Sequence, residues 1–427
     1  MTERLYYQNS FLFDFTAEVA GMRDLSDGRR ALVFDRTAFY PTSGGQPFDI
    51  GWIEFVTEGR EEPLELPKLK VIEVIEEDAG GDILHVVEDT AEPVIVHLPL
   101  RVRGFVDVDR RQEHMQQHSG QHVLSAAFLK LYNAPTLSFH LGEESCTIDL
   151  EIPALNNAQL VQAERHANQL VWDDRQVLMH EATPEQARKI GVRKIPETAR
   201  DTLRLIEIRG VDLCACGGTH VKTTGQIGNI QIRKVEKVKQ ALRVEFVCGV
   251  RALRHARKDF QVLTETAALY SSHLWDVPAQ TEKLIDSGKA AQKQHHKQLA
   301  EIADLEAQHT LASTQASGGR KIIAKYCRDR DLDFVKLYAQ RLVALEPNVI
   351  ALIGAGRGTP ALVFAQSLTG LAAEGFDAGA QLKTLLESFG GRGGGTANLA
   401  QGGVPSADVI PELLARAALL ARATPKK

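Results

Sequence analysis

No stretch of this 427-residue chain approaches the ~20 consecutive apolar residues that a bilayer-spanning helix needs. The opening residues, MTERLYYQNSFLFDF, lack a basic segment followed by an apolar core and a small-residue cleavage site. Neither membrane insertion nor export is expected, and the cytoplasm is the expected compartment. Cysteine is scarce: Cys146, Cys214, Cys216, Cys248 and Cys327 form an odd, scattered set. That argues against a disulfide framework and for cytosolic thiols or metal ligands. Positive charge is not in excess either, with 50 Lys and Arg against 55 Asp and Glu and a formal charge of −5. Such a balance excludes a protein that coats nucleic acid indiscriminately, though not one with a local basic face. No P-loop is present, and GAGRG at Gly354–Gly358 lacks the dinucleotide spacing, so nucleotide chemistry is not expected.

What is present is ordinary globular composition, 44% hydrophobic and 25% charged, at a length that suits two or three domains. Residues 1–100 read as a β-rich, barrel-like domain, with short apolar runs at Ala31–Phe34, Lys70–Ile75 and Ile83–Val87 between Gly, Pro and acidic clusters. Residues 101–250 read as an α+β core. Met115, His118, His122, Leu124 and Phe128 recur at helical spacing within Arg110–Tyr132, a second helix is expected at Asn157–Val171, and Thr183-Pro184-Glu185 has the form of a helix start. LRLIEI, NIQIRKVEKV and LRVEFVCGV then read as strands. Residues 251–317 are polar and helix-forming, with an apolar stripe too thin for a core helix, and read as a solvated helical arm or coiled-coil hairpin. Residues 318–427 alternate strand-like and helical runs, as a small C-terminal α/β domain with a Gly-rich loop would. The expected fold class is α+β.

Two elements carry metal-binding chemistry. HMQQHSGQH sets His114, His118 and His122 at successive i, i+4 positions, near one helix face. CACGGTH sets Cys216 and His220 around a glycine turn. Together they offer nitrogen and sulfur donors suited to zinc, from chain segments far apart. Cys214 competes with Cys216, and His114 with either of the other two, and spacing does not choose among them. An HExxH peptidase site is disfavoured, because Gly120 and Gln121 sit between the histidines and no general-base glutamate is present. Cys146, Cys248 and Cys327 read as buried, inert thiols.

FYPTSGGQPFDIG, QQHSGQH, CGGTHV followed by TGQIG, and GGRGGG followed by AQGG occur in the order found in the editing and C-terminal parts of alanyl-tRNA synthetases. The chain resembles a free-standing alanyl-tRNA editing protein of the AlaX type in its long form. The resemblance spans nearly the whole chain. It implies a cytoplasmic, ATP-independent hydrolase that removes serine, and often glycine, from mischarged tRNA(Ala), with one zinc ion on His118, His122, Cys216 and His220. A second, hydrolytic selection is physically needed, because a methyl-scale difference is worth only ~1–3 kcal/mol in a binding pocket.

The resemblance also implies a substrate contact at Gly44, Gly45 and Gln46 and a pocket hydrogen bond from Ser138, with Thr219 and Asp212 as nearby supports. Plain turn roles are the alternative for the glycines, for Thr219 and for Asp212. Lys222, Arg233, Lys234, Lys237, Lys239 and Arg243 form a basic cluster beyond the zinc motif, where tRNA contact competes with a solvated sheet edge; Lys222, Arg233 and Lys234 are the expected contacts. Arg392, in the Gly-rich segment, resembles part of the family's C-terminal domain, which is associated with tRNA binding and dimerisation. Thr396-Ala397 departs from the usual basic residue and proline there. The rival reading is a tRNA-binding protein without catalysis, whose zinc is structural.

Overall fold

DFTAEVAGMRD alternates as a strand with one wet face must: Phe15, Ala17 and Val19 are buried, and the residues between them are exposed. This strand, β1 (Asp14–Asp24), opens a closed antiparallel barrel with β2 (Arg30–Phe34), β3 (Gly51–Val56), β4 (Leu69–Glu76), β5 (Ile83–Val87) and β6 (Arg101–Val106). The order around the barrel is β1-β2-β5-β4-β3-β6, with β6 returning to β1. The computed structural model describes residues 1–56, 68–77, 81–88, 100–192, 202–369 and 376–423. The chain divides into two compact units, Met1–Glu265 and Thr266–Lys427. Among the described residues no helix is long and apolar enough to cross a membrane.

Among the described residues, His85 is the fully buried ionisable group of the barrel interior. Its Nδ1–H donates to the Leu32 carbonyl at 3.0 Å, so Nε2 accepts from the Thr37 hydroxyl at 2.8 Å. Burial lowers its pKa from 6.5 to about 4. The unfolded imidazole therefore takes up a proton at a pH where the folded one does not. Stability from this group is complete above pH 6.5 and is lost between there and about 4. The loss amounts to roughly 3 kcal/mol at ~1.4 kcal/mol per pK unit. Thermal unfolding of the first unit should become more favourable by that amount on acidification in the native protein, and the slope should flatten in His85→Gln. Equal slopes in the two proteins would rule out this origin.

Behind the barrel runs α1 (Val108–Tyr132), capped by Asp107, whose side chain accepts from the Arg110 amide at 2.9 Å, and stopped at Asn133 in a left-handed conformation. Most of α1 is buried, polar residues included, because elements pack around it on several sides. These are the sheet β12-β13-β8-β7, formed by β7 (Thr136–Leu141), β8 (Cys146–Leu150), β12 (Ile230–Val238) and β13 (Ala241–Cys248), and the helix α2 (Asn157–Trp172). A three-stranded sheet, β9 (Val177–Ala182), β10 (Leu203–Ile208) and β11 (Asp212–Ala215), delivers the CACGGTH segment. Between β9 and β10 lies α3 (Pro184–Lys189), whose start is a reciprocal cap between Thr183 and Gln186, as its sequence indicates. One buried ion pair ties barrel to helix. Arg111 bonds Asp49 Oδ1 and Oδ2 through Nε at 3.1 and 3.0 Å and reaches the Ser10 carbonyl at 2.8 Å.

The helix α4 (Gly249–Leu269) crosses the division between units, and α5 (Val277–Ser313) belongs to the second. Here the expectation of a purely solvated arm is corrected: Ala303, Ala307 and Leu311 of α5 are buried in the core of the second unit. The stripe was too thin to notice because alanine supplies most of it. That core belongs to a five-stranded sheet of β14 (Lys321–Cys327), β15 (Val349–Ala355), β16 (Ala361–Gln366), β17 (Arg392–Gly395) and β18 (Leu399–Gly403), in the order β14-β15-β16-β18-β17. α5 and α6 (Leu332–Leu345) cover one face, and α7 (Ala378–Glu387) and α8 (Ile410–Ala423) the other. β15 and β16 are buried along their whole lengths, as central strands covered on both faces are. The mixed α+β class and the barrel-like N-terminal domain agree with the sequence reading.

Candidate metal centre

His118 and His122 project from one face of α1, and the loop after β11 brings Cys216 and His220 to meet them. One donor atom from each of the four lies within 4.8 Å of the others. His118 Nε2 and His220 Nε2 each stand 3.3 Å from Cys216 Sγ. In a tetrahedral site with Zn–N of ~2.0–2.1 Å and Zn–S of ~2.3 Å, the N···S edge is about 3.5 Å. His122 Nε2 is buried and has no hydrogen-bond partner among the described residues. The donor set therefore fits a zinc ion.

Each imidazole is fixed from behind. His118 Nδ1–H donates to Gln46 Oε1 at 2.9 Å, His122 Nδ1 faces Asp212 Oδ2 at 3.3 Å, and His220 Nδ1 faces Ser119 Oγ at 3.2 Å. Such contacts hold the hydrogen on Nδ1 and leave the Nε2 lone pair for a metal. Burial pushes the Cys216 thiol up, but His118 and His220 outweigh it and hold the group well below its ordinary range. Burial lowers His220 to about 3. Thiolate and neutral imidazole are the forms that bind metal.

The two residues that competed with this set lie elsewhere. His114 is buried beside Arg110, Arg251 and Arg111, and burial first, then those charges, lower it to about 3. Cys214 Sγ lies 3.2 Å from His122 Nδ1, on the opposite side of that ring from Nε2, where Asp212 also sits. The remaining cysteines are buried, and burial pushes Cys146 up to about 12 and raises Cys248 and Cys327.

The residues expected to touch substrate divide sharply. Gln46 and Thr219 are fully buried and serve the cluster: Gln46 Oε1 accepts from the Thr219 amide at 3.0 Å as well as from His118, and Nε2 donates to the Thr219 hydroxyl at 2.8 Å. Both ends of the Gln46 amide are thus engaged within the protein. Gly44 and Gly45 have positive φ, and a Cβ on Gly45 would come within 2.7 Å of Phe139 Cε2. The Gly45 carbonyl accepts from the Leu141 amide at 3.2 Å, which tacks the loop to β7. Ser138 is not brought to the cluster. Its hydroxyl donates to Asp149 Oδ2 at 2.8 Å on the exposed face of the sheet, while its neighbour Phe139 turns inward with its ring 5.8 Å from that of His118.

The basic cluster is also largely spoken for. Arg233 binds both oxygens of Asp259, Lys234 pairs with Glu236, and Arg243 binds both oxygens of Asp149. Lys222 places its ammonium 4.6 Å above the Phe11 ring. Arg392 is exposed and, with Arg357, Asp331 and Thr359, lines an open cleft of about 520 Å³ in the second unit. Thr396 closes the β17–β18 turn by accepting from the Leu399 amide at 3.3 Å.

Sequence reasoning missed Ser119 as a support and the engagement of Gln46 behind His118. Arg204 was missed too; it is largely buried, and its guanidinium holds the Cys216 and Gly218 carbonyls at 2.9 and 2.8 Å. Only its place in an alternating strand was visible, and that does not reveal a partner.

Residues 203–244, which contain β10, β11 and the CACGGTH loop, match the family described as the threonyl and alanyl tRNA synthetase second additional domain. The alanyl-tRNA editing protein AlaX-L of Pyrococcus horikoshii is 28% identical over 417 residues, covering 95% of each chain. An alanine–tRNA ligase of Pyrococcus abyssi is 28% identical over 420 residues, 97% of this chain but 43% of the ligase. Among solved structures, the C-Ala domain of Aquifex aeolicus alanyl-tRNA synthetase aligns with 26% of this chain and 98% of its own, at 19% identity and a TM-score of 0.24. Over nearly its whole length, then, the chain is a relative of the alanyl-tRNA editing protein AlaX-L and of a continuous part of the alanine–tRNA ligases.

Proposed function

We propose that this protein hydrolyses the aminoacyl ester of tRNA(Ala) mischarged with serine or glycine, acting in trans, with one zinc ion held by His118, His122, Cys216 and His220. The observation that carries this reading is the convergence of three imidazoles and a thiol on one point, in a chain similar over 95% of its length to an alanyl-tRNA editing protein. Zinc, when bound, supplies Lewis acidity, either to a water or to the substrate's amino group.

The chain's own residues hold the ligands. Gln46, Asp212 with Cys214, and Ser119 orient the three rings, and Arg204 fixes the carbonyls of the loop that carries Cys216. Burial keeps bulk water from the donors, which strengthens any charge interaction there. Gly44 and Gly45 set the turn that carries Gln46, and backbone contact with the tRNA end is assigned to that turn. Lys222 and Arg392 are the proposed phosphate contacts. Arg233 and Lys234 would have to exchange a carboxylate for a phosphate to join them. The resemblance also supports a homodimer formed through the C-terminal region.

The test is release of labelled amino acid from Ser-, Gly- and Ala-tRNA(Ala), using metal-replete and chelated protein side by side. Serine and glycine should be released and alanine spared. Release should stop on chelation, and Cys216→Ala should lower kcat/KM at least a hundredfold, about 2.7 kcal/mol of transition-state stabilisation. Binding of tRNA with all three esters intact would instead establish a binding protein with a structural ion.

A further inference from the structure

Between α1 and β7 lies a buried polar chain that the metal centre does not use. Gln121 is 3% exposed, and its Nε2 donates to Ser125 Oγ at 2.9 Å. The Thr136 hydroxyl, at the start of β7, donates to the same Ser125 oxygen at 2.7 Å. Gln121 Oε1 is buried and has no partner among the described residues. Turning the amide over would let Ser125 donate to the oxygen, but would then strand the NH₂ group. In either orientation one end of the amide is unmet. Leaving such a group unpaired costs about 1–3 kcal/mol, and more than 90% of buried polar groups avoid it.

The location gives the unmet group a meaning. Residue 121 adjoins His122 and lies three positions from His118, so its side chain leaves α1 within an arc of about 100° shared with both rings. β7 supplies Thr136 to this chain and Phe139 to the neighbourhood of His118, with their ring centroids 5.8 Å apart. The polar chain thus leaves the same side of α1 as the two ring donors.

We propose that Gln121 is a specificity residue, whose side-chain amide hydrogen-bonds the hydroxyl of the misattached amino acid. The inference rests on the editing reading above and deepens it. A serine hydroxyl can donate to Oε1, or accept from the turned amide, whereas glycine and alanine offer nothing at that atom. Sites built to bond a hydroxyl reject analogues that lack it far more strongly than apolar pockets reject a methylene.

The experiment compares kcat/KM on Ser-, Gly- and Ala-tRNA(Ala) for the native protein and Gln121→Met, with bound zinc measured in each. Methionine keeps length and helix propensity and removes the amide. Serine release should fall ten- to a hundredfold while glycine release stays within twofold and zinc content is unchanged. Gln121→Asn, which keeps an amide but withdraws it, should lose serine preference in the same way and stands in if the methionine variant does not fold. A parallel fall for serine and glycine would overturn the proposal in favour of a structural role. No change for either would overturn it in favour of a buried water. Native protein that releases none of the three amino acids would defeat the editing reading itself, a result separable from the other two.

Discussion

Asp49→Ala is expected to destabilise the first unit by about 3–5 kcal/mol, the usual consequence of removing one partner of a buried ion pair. Arg111 is fully buried, and its guanidinium is met by Asp49 and by the carbonyls of Ser10 and Ala38. Without the carboxylate, a full positive charge would remain in the interior facing only carbonyl dipoles. The Tyr40 amide, which donates to Asp49 Oδ2 at 2.7 Å, would lose its acceptor as well. The damage would reach the metal centre, because Tyr40 and Asp49 bracket the turn that carries Gln46 to His118. Urea unfolding followed by hydrogen exchange of the barrel amides measures the effect. A cost below about 1 kcal/mol would mean that water relaxes around Arg111 and that the pair is not the tie between barrel and α1.

Gly218→Ala should abolish zinc retention and lower kcat/KM by at least a hundredfold while leaving the fold largely intact. A Cβ at this position would fall on His118 Cε1 and Nδ1 and lie 2.9 Å from Gln46 Oε1. Nothing there can yield cheaply. The ring of His118 is a donor, the Gln46 amide is bonded at both ends, and the Gly218 carbonyl is held by Arg204. Displacing a reacting group by about 1 Å is enough for a hundredfold loss. Metal content after dialysis, read with the circular dichroism spectrum and the deacylation rate, separates loss of the site from loss of the fold. Near-native activity in a folded variant would refute the crowding argument.

How much could be read beforehand depended on the range of the interaction. The second helix was expected at Asn157–Val171 and runs Asn157–Trp172, because cap and periodicity are local signals. The donor candidates were legible for the same reason, because the helix histidines and the CACGGTH thiols and imidazole each share a local turn. Spacing left His114 and Cys214 in competition, and only the resemblance chose His118, His122, Cys216 and His220. Gln46 was read as a substrate contact, but its partners lie 72 and 173 residues away, and no spacing rule reaches that far. Ser138 was placed in the pocket, yet on a strand a single residue decides the face, and Phe139 is the one that turns inward. The basic cluster was seen without its acids, since Asp259 and Asp149 come from a different helix and a neighbouring strand. Lys234 differs in kind: its acid, Glu236, shares its face of β12 at a spacing of two, a local signal that the sequence reading did not use.

The outermost strand of the second sheet, β17, is Arg392 followed by three glycines, all exposed. Along that margin the sheet shows the solvent a bare main chain with almost no side chains. Glycine in a strand costs roughly 0.5–1 kcal/mol relative to alanine, so three together oppose the extended form by about 2–3 kcal/mol. A sheet margin is ordinarily a template on which another chain can polymerise. Here the template is made of the residues least inclined to stay extended, so a strand added to it would bind to a partner that readily peels away. The glycines that shape this hairpin thereby leave the sheet with a margin that is open to pairing but held only weakly in the extended form.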